Sequence, residues 1–222
     1  MEIETPVGTA RVALHAAPAP RALLLLGHGA GGGIEAVDLL AACEAALALS
    51  VSVGLVQQPY RVAGRRSPAP AAQLDTAWLA VVAALGAPLP PASDRVGGRS
   101  SGSGPLPLGV GGRSSGSGPL PLFVGGRSSG ARVACRTAAQ AGAAGVICLA
   151  FPLHPPGRPE KTRLPELEAV AAPVLIIQGE RDPFGMPPAS AGREIVVIAG
   201  GHSLKAKEPV RDAVSEWLAS QL

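Results

Sequence analysis

An α/β fold, with a mostly parallel sheet flanked by helices on both faces, follows from three features of this sequence. Apolar runs of strand length alternate with longer segments of helical character. The later strand-like runs are apolar throughout rather than alternating, as strands buried on both faces are. The polar and glycine-rich segments fall just after those runs, where open parallel sheets gather their functional groups.

The elements can be justified in order. Residues 2–8 and 11–17 read as two short strands joined by a turn. "RALLLLGHG" at 21–29 is a continuous apolar run ending in glycine. Residues 35–50 carry apolar side chains at helical spacing without a breaker, and "VSVGLVQQPY" at 51–60 is a second buried strand. "PAPAAQLDTAWLAVVAALG" at 68–86 opens with prolines, continues as an apolar helix and stops at glycine. A strand at about 120–126 follows, then a helix at 131–142, a strand at 144–151 and a helix at 163–171. "PVLIIQGERDPFG" at 173–185 is a strand running into a loop, and "REIVVIAGGHSL" at 193–204 is another. Residues 208–222 close the chain as a helix.

Composition narrows the class. At 222 residues the chain suits one domain, and 47% apolar against 16% charged residues suits a packed core. Only 3% are aromatic, so Ala, Val and Leu must build that core. The net charge of +3 comes from scattered arginines, which argues against nucleic-acid binding. No apolar run has the length of a membrane span, and "MEIETPVG" lacks the character of a signal peptide. Cytoplasmic localisation is the expectation. Cys43, Cys135 and Cys148 sit in apolar stretches and form no CxxC pair, consistent with buried thiols.

"GGRSSG" occurs three times, at a period of 14 residues, and each copy contains Gly-x-Ser-x-Gly. Such a motif raises a serine nucleophile only at a sharp turn between a strand and a helix. Ser100 follows "PPASDR", which is no strand, and precedes "SGPLPLG", which is no helix. Ser114 has the same Pro/Gly-rich exit. Ser128 has "PLFV" before it and "ARVACRTAAQ" after it, and Gly126 and Gly130 flank it. It is the expected nucleophile, ahead of its neighbour Ser129. The earlier copies read as a flexible repeat insertion at about 87–119 within a single domain spanning 1–222.

A serine hydroxyl needs a base, and the base needs an acid to orient it. Two histidines follow Ser128. His202, just past a strand and before the last helix, has the expected order and setting; His154 comes too early in the chain. Asp182 is the acid candidate, clear of the strand in a loop with Pro183 and Gly185. Glu180 is the runner-up, with Glu194 nearby. Oxyanion donors are expected from the backbone N–H of Ser129 and of Ala30 in "GHGAGGG", with Gly29 or Gly31 as alternatives to Ala30. The candidate substrate-binding residues are Gly29, Tyr60, Arg61, Arg127 and His154. Arg65, Arg66, Arg158 and Lys161 would extend a basic rim for an acidic substrate group, although structural loops pinned by arginine hydrogen bonds are the favoured reading of these residues.

With "LLLGHGAGGG", "QQPYRVAGRR", "FVGGRSSGARVACR", "LAFPLHPPGRPEKTRLPEL", "LIIQGERDPFG" and "GGHSL" in view, the chain resembles the α/β-hydrolase superfamily. It looks like the small dienelactone-hydrolase-like group related to subunit 3 of the NSL histone acetyltransferase complex, the testis-expressed-protein-like bacterial hydrolases. The resemblance implies an eight-stranded sheet, no cofactor or metal, and Ser128, Asp182 and His202 as a triad. The repeats depart from the family pattern. Only about twenty residues separate the strands near 151 and 173, so no cap domain is expected and the site should be shallow. The expected function is a serine hydrolase of small esters, lactones or related acyl substrates, with the small acyl compound as its partner and the oligomeric state open. The alternative is a non-catalytic scaffold serving as a protein-interaction module.

Overall fold

The computed structural model describes residues 1–86 and 119–222. The expected repeat insertion at about 87–119, with Ser100 and Ser114, lies outside the described residues apart from Pro119.

Among the described residues eight strands form one sheet: β1 (Glu2–Thr5), β2 (Gly8–His15), β3 (Ala22–Gly27), β4 (Val51–Gln57), β5 (Leu122–Arg127), β6 (Gly145–Leu149), β7 (Val174–Gly179) and β8 (Arg193–Ile198). Their order is β1-β2-β4-β3-β5-β6-β7-β8. The first hairpin pairs antiparallel onto β4, with Val12 opposite Val56, and all later pairings are parallel. Strand β3 has every residue buried, as do β6 and β7, which explains the unbroken apolar runs.

Helices cover both faces. On one, α1 (Val37–Ala48) and α6 (Lys207–Gln221) bury Leu39, Ala42, Val214 and Trp217 against Leu24, Leu26, Ile147 and Leu175. Trp217 meets Phe123 edge-on, ring centroids 6.0 Å apart. On the other, α3 (Ala71–Leu85) and α4 (Ser129–Thr137) bury Trp78, Val81, Val133 and Cys135 against Leu23, Leu25, Val124 and Val146. The core is aliphatic and alanine-rich, as composition requires. No described helix is long and apolar enough to cross a membrane. Between β6 and β7 the chain forms only loops and the five-residue α5 (Leu164–Glu168), so no cap domain covers the sheet among the described residues.

Two boundaries differ from the sequence expectation. The strand expected over 51–60 stops at Gln57, and Pro59–Val62 form the short helix α2, because Pro59 supplies an N-terminal helical φ and no donor to extend the sheet. The helix expected from 131 begins two residues earlier, at Ser129, and ends at Thr137 rather than 142. That earlier start matters to the site: it leaves no spacer between Ser128 and the helix.

Candidate active site

Ser128 sits between β5 and α4 with φ 52° and ψ −109°, a conformation that costs a non-glycine residue free energy. Its N–H donates to Leu149 O (2.9 Å) and its C=O accepts from Arg132 N–H (3.2 Å), so neighbouring backbone holds the strained turn. The turn also depends on close backbone contact. A Cβ on Gly130 would run into the carbonyl oxygen of Gly27 and come within 2.9 Å of His28 O. A Cβ on Gly126 would meet the same Gly27 oxygen. The two flanking glycines therefore let α4 and β5 press against the end of β3.

Ser128 Oγ lies 2.8 Å from His202 Nε2. His202 Nδ1 lies 2.9 Å from Asp182 Oδ2. With Nδ1 protonated and donating to the carboxylate, Nε2 faces the hydroxyl as an acceptor. Asp182 is held from three sides: Oδ2 also accepts from Gln178 Nε2 (2.8 Å), and Oδ1 accepts from Phe184 N–H (2.9 Å). Its side chain is only 1% exposed. The Phe184 ring packs on the His202 ring at a centroid distance of 4.1 Å. Glu180 stands outside this line, half exposed and 3.4 Å from exposed Arg181. Glu194 lies on β8.

The loop after β3 approaches from the other side. A Cβ on Gly29 would lie 3.5 Å from Ser128 Cβ. Ala30 O accepts from the Tyr60 hydroxyl (3.1 Å). Ser129 is the first residue of α4, so its N–H has no acceptor within the helix and is free for an anion. His28, absent from the sequence expectations, organises this loop while only 3% exposed. Its Nδ1 donates to Gly29 O (2.7 Å) and its Nε2 accepts from Gln58 N–H (3.1 Å), which specifies the neutral Nδ1–H tautomer. Burial pushes the imidazole below its ordinary 6.5; the Gly29 bond works against that, and the Arg61 charge adds to it.

The other expected residues take varied positions. Tyr60 is buried and its phenol is pushed up, mainly by burial. Arg127 donates from Nε to Asp38 Oδ2 (2.9 Å), and from Nη2 to Ser203 Oγ (3.1 Å) and His202 O (3.4 Å). Asp38 is 1% exposed; burial pushes its carboxyl up, and the Arg127 charge opposes that shift. His154 packs on Gly185 in the acid loop, with Nδ1 2.9 Å from Pro155 O, and its backbone N–H donates to Phe184 O. Arg61 lies on α2, and Arg65, Arg66, Arg158 and Lys161 are exposed. A cavity of about 390 Å³ opens behind Tyr60, bounded by Gly8, Gln58, Arg65, Gln73 and Leu74. Among the described residues no group of His, Cys, Asp and Glu could hold a metal ion.

A family model for the alpha/beta hydrolase domain matches residues 113–209. No curated protein matches the chain. Among solved structures, Est1E from Butyrivibrio proteoclasticus with ferulic acid bound is similar at TM-score 0.68 and 17% identity, over 100% of this chain and 98% of that one. An α/β serine hydrolase without a lid from Xanthomonas campestris is similar at TM-score 0.67 and 18% identity, over 98% and 93%. Dienelactone hydrolase from Anabaena variabilis is similar at TM-score 0.67 and 14% identity, over 99% and 95%. The strand order and these likenesses agree on the fold: the described residues take the α/β-hydrolase fold.

Proposed function

We propose that the chain is a serine hydrolase of small esters, lactones or related acyl compounds, working through Ser128, His202 and Asp182. The observation that carries this reading is the unbroken line from the Ser128 hydroxyl through both His202 nitrogens to the Asp182 carboxylate, at 2.8 and 2.9 Å. His202 takes the Ser128 proton as Oγ attacks the carbonyl carbon. Asp182 stabilises the imidazolium and fixes its orientation. The carbonyl oxygen becomes an oxyanion facing the N–H groups of Ser129 and Ala30. His202 then protonates the leaving alkoxide, leaving Ser128 acylated. A water molecule attacks the acyl-enzyme with His202 again as base, releasing the acid and restoring the hydroxyl.

The lack of a cap among the described residues supports a shallow site suited to small or exposed acyl groups. The lidless hydrolase from Xanthomonas campestris and the ferulic-acid-bound Est1E are in keeping with that choice.

The test is covalent labelling with a fluorophosphonate probe, read by peptide mass spectrometry, on wild type and Ser128→Ala, with hydrolysis of p-nitrophenyl acetate followed in parallel. Labelling at Ser128 that is lost in the variant, together with loss of esterase activity, is the expected result. Folded wild-type protein that takes no label at Ser128 would overturn the mechanism in favour of a non-catalytic scaffold.

A further inference from the structure

Arg127 stands between Gly126 and Ser128, and its guanidinium bonds to three separate groups around the site. Nε is bonded to Asp38 at the start of α1, and Nη2 reaches the hydroxyl of Ser203 and the carbonyl of His202 itself. Nη1 flanks the oxyanion loop: a Cβ on Gly29 would sit 2.9 Å from it. Four chain segments, 89 positions apart at the Arg127–Asp38 contact and 75 at the Arg127–His202 contact, therefore converge on one planar cation. Lysine could not replace it, because a single ammonium lacks the flat fork that reaches acceptors in several fixed directions.

The charge of this cation is neutralised locally. Asp38 is almost fully buried, accepts a backbone N–H from Leu39 (2.9 Å) and pairs with Arg127 at 2.9 Å. An unneutralised guanidinium bonded to the His202 backbone would disfavour the imidazolium that must form beside it during catalysis. With the carboxylate in place, the arginine can hold the loop without imposing its charge on the base.

We infer that Arg127 is a positioning residue: neutralised by Asp38, its guanidinium ties the His202 loop to the nucleophile turn and so fixes the distance between base and hydroxyl. The inference rests on the serine-hydrolase reading above. It replaces substrate binding as the role of Arg127, because the cation is already engaged by protein groups. The other charged groups around the His202 loop are Asp182 after β7, the exposed Glu180–Arg181 pair beside it, and exposed Lys205 on the loop itself. None of these contacts Arg127 among the described residues.

The experiment compares Arg127→Lys, Asp38→Asn, the double variant Arg127→Met/Asp38→Asn and Ser203→Ala. Each is read by thermal melting, by kcat and KM for p-nitrophenyl acetate, and by the pH dependence of fluorophosphonate labelling. Labelling of wild type at Ser128 is the control for the hydrolase reading, so failure of that control is distinct from failure here. Arg127→Lys should lower kcat by about tenfold or more with KM little changed, since small misplacements of reacting groups are costly. Asp38→Asn leaves the cation unneutralised and should move the acidic midpoint of the labelling profile down by about half a pH unit or more, as expected of one charge several ångströms away. The double variant should return the midpoint to the wild-type value while remaining slow, because charge balance is restored but the tether is gone. A purely structural role would lower stability without this paired movement of the midpoint. Ser203 is exposed, so its truncation spares the fold. Ser203→Ala removes one tether and should lower kcat by about threefold, on the scale of one charge-assisted hydrogen bond. Wild-type kcat in folded Arg127→Lys, a fixed midpoint in folded Asp38→Asn, or, where those two do not fold, wild-type kcat in Ser203→Ala would each overturn the inference.

Discussion

The buried His28 imposes an acid limit on the fold that can be measured apart from catalysis. Its Nδ1–H donates to Gly29 O and its Nε2 accepts from Gln58 N–H, so a second proton on the ring would face a backbone donor. Burial already holds the folded imidazole below 6.5. Below the unfolded value of 6.5, the unfolded chain therefore binds a proton that the folded chain refuses. Folding stability from this group is fully present above 6.5 and is lost as the pH falls toward the folded value. The loss cannot exceed about 1.4 kcal/mol per pH unit, which sets an upper limit of about 1.4 kcal/mol between pH 7.5 and 5.5 against an unfolded value of 6.5. Urea unfolding of wild type and His28→Gln over that range isolates the effect, because the other titrating groups are shared and cancel in the difference. Gln at this position keeps a donor and an acceptor without a titration. The wild-type minus variant stability should fall across the window, by at most about 1.4 kcal/mol. A difference independent of pH would refute the assignment of a neutral, doubly bonded imidazole and, with it, the account of how the loop after β3 is held.

Two further predictions test the turn and the acid. Gly130→Ala gains about 1 kcal/mol of helix propensity but drives a methyl group into the Gly27 carbonyl, so the variant should be destabilised by about 2 kcal/mol or more; a raised melting temperature would contradict the close packing described for the nucleophile turn. Asp182→Asn should lower kcat by about 10³- to 10⁴-fold while the fold persists, since the amide no longer holds His202 in the tautomer that accepts from Ser128; esterase activity near wild type would instead point to Glu180.

The parts of this protein legible in its sequence are those fixed by local pattern. The all-apolar runs at 22–27 and 174–179 announced strands buried on both faces because such strands leave no face for polar side chains. The loop with Pro183 and Gly185 that makes Asp182 the expected acid is local pattern, and in the structure it is Asp182 that meets His202. The illegible parts are contacts made across the fold. Gln178 falls at the end of an apolar strand and looks like its polar border, yet its amide is buried and binds Asp182, Phe151 O and Gly185 O. Asp38 looks like a solvated first-turn acid and is instead the buried partner of Arg127. His28 sits in a glycine-rich stretch with no pattern that marks it as buried. No periodicity marks these residues: His28 and Asp38 meet partners 30 and 89 positions away, and the amide of Gln178 is buried only once the sheet has assembled.

The triplicated hexapeptide shows why a short motif cannot carry chemistry alone. All three copies spell the same Gly-Gly-Arg-Ser-Ser-Gly, so every preference that resides in those six residues is shared. What surrounds the copy at 125–130 is supplied by distant chain: the Leu149 carbonyl that receives the Ser128 N–H, the Gly27 backbone that only glycine at 126 and 130 can meet, and the Asp38 carboxylate that neutralises Arg127. The positive φ of Ser128 is unfavourable in isolation and persists because these contacts over-determine it. Strain of this kind is affordable only inside an assembled sheet. A copy of the hexapeptide excised as a peptide should therefore react with a fluorophosphonate no faster than free serine, whereas Ser128 in the folded chain should react rapidly and lose that reactivity on unfolding in urea. Equal reactivity in the folded and unfolded chain would mean that the motif, and not the fold around it, activates the serine.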